Sequence, residues 1–442
     1  MSAVLLSAVL SLSSAISSPP SSVPIVEPIV APIVESKVGA MTIIVKRVPN
    51  AELVATQLWI RGGARNWSKD DAGVEDLALR VATQGGTQSL DKIAFGRKLA
   101  SIGANITSNT DLDESTIYGK GPLSSFDDVL GLITDTFLRP AMPAAEVELQ
   151  RQDLLATIKH VDEDADAHLH EMVEDALFKG MPYENHSTGT LDTVGKLTLA
   201  QLNAQMQKLR EQSRLVLVVV GDVDPKVVIK KARAAYGKVP AGAFVEKPMA
   251  KPSYSAAASV GEDRKLPTNY IQGMYLGPQY GTADFAVGVA TRELLNTRLF
   301  EEVRTKRNLS YAPGVRSVST DIASWGGIYV TAVDPNATIP VMIGELKRLQ
   351  SEPINDNDLA STRAMTRTTL LMGDQATDAQ AHDLARGFIH AGDVYADQEL
   401  EQRIANVTAA EIQAFAKKYF SKLQFVVLGD PKKLDDAIAK SF

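Results

Sequence analysis

Apolar and polar residues follow two different periods along this chain of 442 residues. Residues 41–47 and 53–61 are short apolar segments that predict strands, whereas residues 71–82 and 90–102 repeat apolar side chains at helical spacing. Residues 215–220 are a continuous run of Val and Leu, which is typical of a strand buried on both faces. Further strands are expected within 104–118, and helices within 123–137 and 143–175. The pattern therefore predicts a fold that mixes strands and helices along its length.

One segment of the first half recurs in the second half. Thr198 precedes a helical pattern and the sequence Leu-Val-Leu-Val-Val-Val-Gly-Asp, and Thr408 precedes a helical pattern and Phe-Val-Val-Leu-Gly-Asp. The offset is 210 residues between the two threonines and 208 between Gly221 and Gly429. A nearly constant offset predicts two copies of one fold of about 200 residues each. Because each copy combines strands, helices and hairpin-like segments, the expected class is α+β.

The repeat and the local composition suggest the domain boundaries. We expect the first domain at residues 41–240 and the second at 260–442, with a linker at 241–259 that is rich in Pro, Ala, Gly and Ser. Residues 18–40 contain Pro-Ile-Val three times at a spacing of four, which predicts an extended tether. Residues 1–17 lack charged side chains and resemble a secretory signal. A periplasmic or otherwise exported protein is expected, with a cytoplasmic location as the alternative.

The charge balance and residue content exclude several classes of function. The chain has 46 Lys and Arg against 53 Asp and Glu, a net charge of -7, and no long basic block. It therefore lacks the electrostatic signature of nucleic-acid binding. The absence of Cys excludes disulfides, thiolate metal sites and a cysteine nucleophile. No apolar stretch reaches the roughly 20 residues of a membrane span.

The most informative motif lies in the second half, where residues 295–311 read Leu-Asn-Thr-Arg-Leu-Phe-Glu-Glu-Val-Arg-Thr-Lys-Arg-Asn-Leu-Ser-Tyr. This segment resembles the Arg-x-Lys-Arg-x-Leu-x-Tyr motif of the pitrilysin or insulinase family of zinc peptidases, in the branch that includes the mitochondrial processing peptidase. The resemblance implies two homologous domains, each a mostly antiparallel sheet with packed helices, that form half of a clam shell. It also implies that Arg304 and Tyr311 contact substrate at a zinc site.

The residues themselves leave a second interpretation of this pair open. A helix from about residue 292 carries an apolar stripe that is expected in the core, made of Leu295, Leu299, Phe300 and Val303. Arg304 is then free of the core, and Pro313 ends any helix near Tyr311. The pair could be structural, at a helix end. The family resemblance favours the functional interpretation, because a guanidinium and a phenol can both donate hydrogen bonds to an oxyanion.

The family's zinc motif has a recognisable frame in this chain but not its ligands. The motif H-x-x-E-H lies between a Gly and a Gly-Gly-Thr turn, and residues 73–87 have this frame. By the resemblance, the first His falls on Asp76, the Glu on Leu79, the second His on Arg80 and a later Glu ligand on Thr157. Zinc needs three good nitrogen or oxygen donors. We therefore expect no zinc at this position and no cofactor in this chain.

The histidines do not suggest a replacement metal site. His168 and His170 are two residues apart, so a regular helix turns them in different directions and a solvated helical face is expected. His382 and His390 are eight residues apart in a helical pattern, which favours a surface or packing role.

A substrate surface is also implied by the resemblance. Residues 103–109 are similar to the family's exposed edge strand, to which an extended peptide adds through main-chain hydrogen bonds. Asn105 and Thr107 are the residues that mark it. The alternative is an ordinary edge strand protected by nearby acidic residues.

The resemblance implies a division of labour, because in the family the Arg/Tyr pair of one subunit completes the zinc site of another, and this chain has the pair but a degenerate zinc motif. The chain is expected to be inactive alone and to be the non-zinc subunit of a heterodimeric metallopeptidase. Its partner would be a homologous H-x-x-E-H subunit that holds Zn²⁺, and the substrates would be unfolded peptides inside a closed chamber. The alternatives are a non-catalytic scaffold subunit and a homodimeric protein that encloses peptides without cutting them.

Overall fold

The computed structural model describes residues 32–254, 256–322 and 324–442. The expected secretory signal, and the expected tether up to residue 31, lie outside the described residues. The strands are β1 Ile33–Val38, β2 Met41–Arg47, β3 Leu53–Arg61, β4 Asn105–Thr110, β5 Glu114–Pro122, β6 Leu215–Gly221, β7 Ala258–Asp263, β8 Asn269–Gly277, β9 Gly314–Ser319, β10 Ser324–Ala332 and β11 Gln424–Gly429.

The helices are α1 Val74–Gln84, α2 Lys92–Ser101, α3 Phe126–Leu138, α4 Ala144–Glu163, α5 Ala165–Phe178, α6 Leu191–Lys196, α7 Leu199–Leu209, α8 Pro225–Tyr236, α9 Ala283–Leu299, α10 Pro335–Ser351, α11 Asp356–Gly373, α12 Thr377–Arg386, α13 Ala396–Ala405, α14 Ala409–Tyr419 and α15 Asp436–Ala439. Phe300–Thr305 and Gly387–Ala391 are π-helical. No helix among the described residues is long and apolar enough to cross a membrane.

The strands form two sheets with the same internal order. The first sheet runs β1-β2-β6-β3-β5-β4 and the second β7-β11-β8-β10-β9. In each sheet every neighbouring pair is antiparallel except one, β2 with β6 and β11 with β7. The first sheet differs only by the additional strand β1. The predicted α+β fold with two homologous domains, each a mostly antiparallel sheet with packed helices, is confirmed.

The sequence repeat marks the start of the same helix in each domain. Thr198 caps α7 and Thr408 caps α14, and each threonine accepts a hydrogen bond from the backbone N–H three residues later. The side-chain oxygens of Gln201 and Glu411 in turn accept a hydrogen bond from the backbone N–H of the threonine. This second hydrogen bond completes a capping box in both helices. A repeated helix-start signal is therefore the physical basis of the repeat.

Two expected segments differ from the structure. Residues 33–38, which were expected in the tether, form strand β1, because an edge strand tolerates the preceding proline. The helical pattern at 143–175 is broken at Asp164, whose backbone is extended and whose side chain caps α5 by accepting from the N–H of Ala167 at 2.9 Å. A new N-cap starts a new helix direction, so α4 and α5 are separate helices.

Each domain covers one face of the other domain's sheet with a helix. In α5, Leu169 and Val173 pack with Met274 and Val426 of the second sheet. In the second domain, the equivalent helix α12 packs its Ala381, Leu384 and Ala385 against β3 and β6 of the first sheet. Strand β6 is fully buried, as its apolar run predicts. The two domains are therefore held together by reciprocal apolar burial.

Candidate functional site

Helix α9 and the π-helical segment after it set the direction of the side chains at the candidate site. Leu295, Leu299 and Val303 are buried in the core of the second domain. Phe300 was expected in the same stripe, but it is 45% exposed. That expectation is wrong, because the buried stripe passes from Leu299 to Val303 and turns Phe300 to the surface. π-Helical turns such as Phe300–Thr305 are frequent at functional sites.

The structure brings Arg304 and Tyr311 into contact. The guanidinium carbon of Arg304 lies 3.9 Å from the ring centroid of Tyr311 and 4.8 Å from that of Phe300. Tyr311 is 77% exposed. Its loop is ordered by Ser310, whose hydroxyl accepts a hydrogen bond from the backbone N–H of Ala312 at 3.3 Å. The predicted pair is thus a stacked, outward-facing cation–aromatic contact.

The donors of Arg304 are not used in ion pairs. Lys306 Nζ lies 2.9 Å from a carboxylate oxygen of Glu301 and 2.7 Å from one of Glu302, and Arg307 also pairs with Glu302. Within the described ranges, Arg304 has no carboxylate partner although two are nearby in sequence. Its five N–H donors are therefore available to another molecule.

An ion pair occupies the position of the family's zinc motif. Asp76 is buried in α1, and its Oδ2 accepts from Arg80 Nε at 2.9 Å. Burial raises the pKa of Asp76, and the Arg80 charge acts in the opposite direction. Leu79, at the position of the general-base Glu, is fully buried and offers no polar atom. The residues present therefore do not fit a zinc ion.

The fourth position of the motif is equally unsuited to zinc. Thr157 lies on the exposed side of α4, and its hydroxyl donates to the Asp153 carbonyl oxygen at 3.0 Å. No hydrogen bond, ion pair or ring contact in the described part of the chain joins Arg304 or Tyr311 to Asp76 or Arg80.

A buried carboxyl next to Asp76 was missed by the sequence analysis. Glu75 accepts hydrogen bonds from Ser115, Trp67 and Gln205 at 2.5, 3.2 and 2.8 Å. Burial raises the pKa of Glu75, and these three donors partly oppose that effect. Its partners lie on three separate segments, so no local pattern could have identified it. We interpret Glu75 as a structural group that ties α1 to β5 and α7.

Strand β4 carries Asn105 and Thr107, the two residues of the predicted substrate surface. It lies at the edge of the first sheet and pairs only with β5 among the described strands. The side chains of Asn105 and Thr107 are exposed. Its outer main-chain groups face away from β5.

His168 and His170 lie at the junction of the two domains. His168 Nε2 is 2.9 Å from Glu262 Oε2, across the domain boundary. The His170 ring lies 5.5 Å from Trp325 between centroids. The expectation of a solvated face is wrong for His168, whose side chain is 14% exposed, because α5 is covered by the second sheet. The His170 side chain remains 41% exposed.

His382 has the packing role that its helical pattern suggested. Its ring lies 5.2 Å from the Trp59 ring between centroids, on the first sheet. Burial lowers the pKa of His382 to about 4, so its ring is neutral at ordinary pH.

A cluster of charged residues joins the two domains. Arg65 pairs with Asp113 at 2.8 Å, with Asp321 at 2.9 Å and with Glu246 at 2.6 Å. The hydroxyl of Tyr183 donates to Asp113, and the backbone N–H of Asp321 donates to the same carboxylate at 2.8 Å. These partners are far apart in sequence, so the cluster forms only when the domains are docked.

His390, for which the sequence favours a surface or packing role, completes this cluster. Its Nε2 lies 3.5 Å from Glu114 and its Nδ1 3.7 Å from Asp321. Burial acts to lower the pKa of His390, but the negative charges of the surrounding carboxylates outweigh it and raise the pKa to about 10. Of the two expected roles, the surface role is wrong, since the His390 side chain is only 9% exposed, and the ring is packed among acidic groups.

The same cluster contains a group that could in principle hold a metal ion. Candidate ligand atoms of Asp113, Glu114 and His390 lie within 4.8 Å of one another. Asp113, however, already accepts from Arg65 and from Tyr183. A guanidinium beside the carboxylate and a protonated imidazole both oppose a cation. We interpret the group as an ion-paired junction.

Comparison with known proteins agrees with the family indicated by the motifs. The model for insulinase (peptidase family M16) matches residues 42–191, and the model for the peptidase M16 inactive domain matches residues 196–366. A solved structure from Pseudomonas fluorescens described as a peptidase M16 inactive domain superposes with a TM-score of 0.80 at 17% identity, covering 90% of this chain and 98% of that one. The fold is that of a two-domain M16 subunit. The chain belongs to the M16 peptidase family.

The names of the curated relatives in this family describe both peptidases and a non-peptidase. The mitochondrial-processing peptidase subunit beta of Saccharomyces cerevisiae is 20% identical over 400 residues, covering 85% of this chain and 86% of the relative. A non-peptidase homologue of Helicobacter pylori is 20% identical over 389 residues, covering 85% and 89%. Family membership therefore leaves the activity to be decided by the site.

The isolated chain should cut no peptide, with or without added Zn²⁺, because Leu79 and Arg80 supply neither a base nor a ligand at the motif. A library of internally quenched peptides measures this directly. Chelator-sensitive cleavage by the purified chain alone would contradict the interpretation of the site.

His390→Gln should destabilise the fold by about 3 kcal/mol at pH 6, since removing one partner of a buried ion pair leaves the others uncompensated. The folded-state pKa of His390 is raised from 6.5 to about 10. Its contribution is therefore complete below pH 6.5 and is lost as the pH rises through about 10. Urea unfolding from pH 6 to 10.5 should show wild-type and variant stabilities converging. A constant difference across this range would show that the charge of His390 is not the cause.

Proposed function

We propose that this chain is the non-zinc subunit of a two-chain M16 peptidase. It supplies Arg304 and Tyr311 to an active site whose zinc is held by a homologous H-x-x-E-H subunit, and it forms one half of the chamber that encloses the peptide. The observation that carries this proposal is the stacked pair itself. Arg304 has all its donors free beside an exposed phenol, in a chain that has lost the zinc ligands.

The chemistry of the pair suits peptide hydrolysis. Attack of water on a peptide carbonyl places a negative charge on the carbonyl oxygen, and donors aimed at that oxygen stabilise the transition state. The stacked guanidinium of Arg304 offers two or more N–H groups in one plane, and the hydroxyl of Tyr311 offers one more. Arg304 and Tyr311 can donate these hydrogen bonds without a metal ion in their own chain. The attacking water is activated by the zinc of the partner subunit.

A purely structural role explains the pair less well. A structural arginine at a helix end normally donates its N–H groups to nearby carboxylates or carbonyls, as Arg307 does to Glu302. Tyr311 contributes little to the core, since most of its surface is exposed. The contact between Arg304 and Tyr311 therefore contributes little to the stability of the fold.

The first domain supplies a place for the substrate. The free edge of β4 can accept an extended segment, and main-chain pairing of this kind selects unfolded peptides over folded proteins. Asn105 and Thr107 would lie beside such a segment.

Mixing the chain with an H-x-x-E-H subunit encoded in the same organism tests the proposal. Tyr311→Phe removes one hydroxyl and should lower kcat of the mixed complex by about a hundredfold to a thousandfold, as loss of an oxyanion donor does elsewhere. Arg304→Ala should do the same and also raise KM, because a guanidinium can bind the ground-state carbonyl. The measurement is steady-state cleavage of a quenched peptide.

Tyr395→Phe is the matched control, because Tyr395 is also exposed, at 40%, and lies far from the pair in sequence. It should leave kcat unchanged, and all three variants should form the same one-to-one complex by light scattering. Assembled Arg304→Ala and Tyr311→Phe complexes with wild-type kcat would show that the pair is structural. Failure of the two chains to associate at micromolar concentration would favour a scaffold or a peptide-enclosing homodimer.

A further inference from the structure

Phe300 is an exposed aromatic residue that core packing does not explain. It follows Leu299, which is fully buried, yet its own side chain is 45% exposed. It is absent from the buried cluster that contains Leu295, Leu299 and Val303. Its ring instead lies under the guanidinium of Arg304, at 4.8 Å from the guanidinium carbon.

A ring contact holds an arginine in a way that an ion pair does not. The five N–H groups of a guanidinium point outward in its plane, whereas its faces carry no donors. Stacking on aromatic rings therefore restricts the plane and uses no donor. Arg304 lies over two rings, those of Phe300 and Tyr311, and keeps its donors free.

The neighbouring charges make this restraint necessary. Glu301 and Glu302 lie three and two residues before Arg304, respectively, and Glu302 already binds Lys306 and Arg307. A mobile Arg304 would compete for the same carboxylates and lose its free donors. The ring of Phe300 holds the guanidinium by a cation–π contact, which does not require an ion pair.

We propose that Phe300 is a positioning residue that holds the guanidinium of Arg304 beside Tyr311 and leaves its N–H donors free to bind another group. It acts through Arg304 and does not itself contact the reacting atoms. This inference rests on the proposed function, which gives the free donors their use, but the restraint itself is a property of the isolated chain.

The restraint can be measured without a partner subunit. In the chain labelled with ¹⁵N-arginine, the Nε–H signal of Arg304 is assigned by its loss in Arg304→Lys. In the wild type we expect the chemical shift of this signal to be displaced by the ring currents. The signal should move toward the position of free arginine in Phe300→Ala and in Phe300→Leu. It should keep its wild-type position in Phe300→Tyr. Leu keeps the apolar bulk and lacks the π face. An unshifted signal in the wild type, or one that Phe300→Ala leaves in place, would overturn the inference.

Coupling to Arg304 is tested in the mixed complex. Phe300→Ala should lower kcat/KM about two- to fivefold, in line with an exposed cation–π contact. Phe300→Tyr should restore the wild-type value, Phe300→Leu should not, and Tyr395→Ala should have no effect. In the Arg304→Ala background Phe300→Ala should cause no further loss. Equal losses in both backgrounds would overturn a role through Arg304.

The two proposals fail separately. If Arg304→Ala and Tyr311→Phe leave kcat unchanged while the ring-current shift depends on Phe300, the restraint is correct and the proposed function is wrong. If both variants abolish activity while Phe300→Ala changes neither the signal nor kcat/KM, the proposed function is correct and Phe300 is not a positioning residue.

Discussion

The structure depends on the exchange of one helix between its two domains. Each sheet has an apolar face that its own domain leaves open, and α5 and α12 cover these faces reciprocally. Because burial of apolar surface is the main favourable contribution to folding, this exchange fixes the two domains as one subunit. The charged cluster around Arg65 and His390 then forms at the junction. Apolar burial makes the contact, and the ion pairs restrict its geometry.

On this shared scaffold, the two domains carry different groups at the candidate site. In the first domain the zinc motif has become an ion pair between Asp76 and Arg80, closed by Leu79. In the second domain the donors of Arg304 remain unspent beside Tyr311. The two sites lie on different elements, α1 for the ion pair and the π-helical segment after α9 for Arg304.

Local patterns in the sequence predicted local structure well. The predicted strands at 41–47 and 53–61 match β2 and β3, and the repeat located the helices α7 and α14 through their capping threonines. The motif also placed Arg304 and Tyr311, which the structure brings into contact. Sequence periodicity could not reveal Phe300 as exposed, since the π-helical turn changes which residues share a face.

Features that depend on long-range contacts could not be predicted. The Arg65 to Asp321 ion pair joins residues 256 apart, and the high pKa of His390 arises from acidic groups on other segments. Glu75 is likewise buried by partners on three segments. None of these residues has a local signature. The environment of Glu75 exists only once the first domain has folded, and that of Arg65 and His390 only after the two domains have docked.

The most direct test of the central claim is the affinity of the mixed complex for a phosphinic peptide, which resembles the tetrahedral intermediate. Donors that act mainly on the developing oxyanion must bind this analogue much more strongly than the matching substrate. We predict that Tyr311→Phe raises the Kd of the analogue about a hundredfold or more and changes the Kd of an uncleaved peptide of the same sequence little. Equal changes in both affinities, or no change in either, would contradict the account.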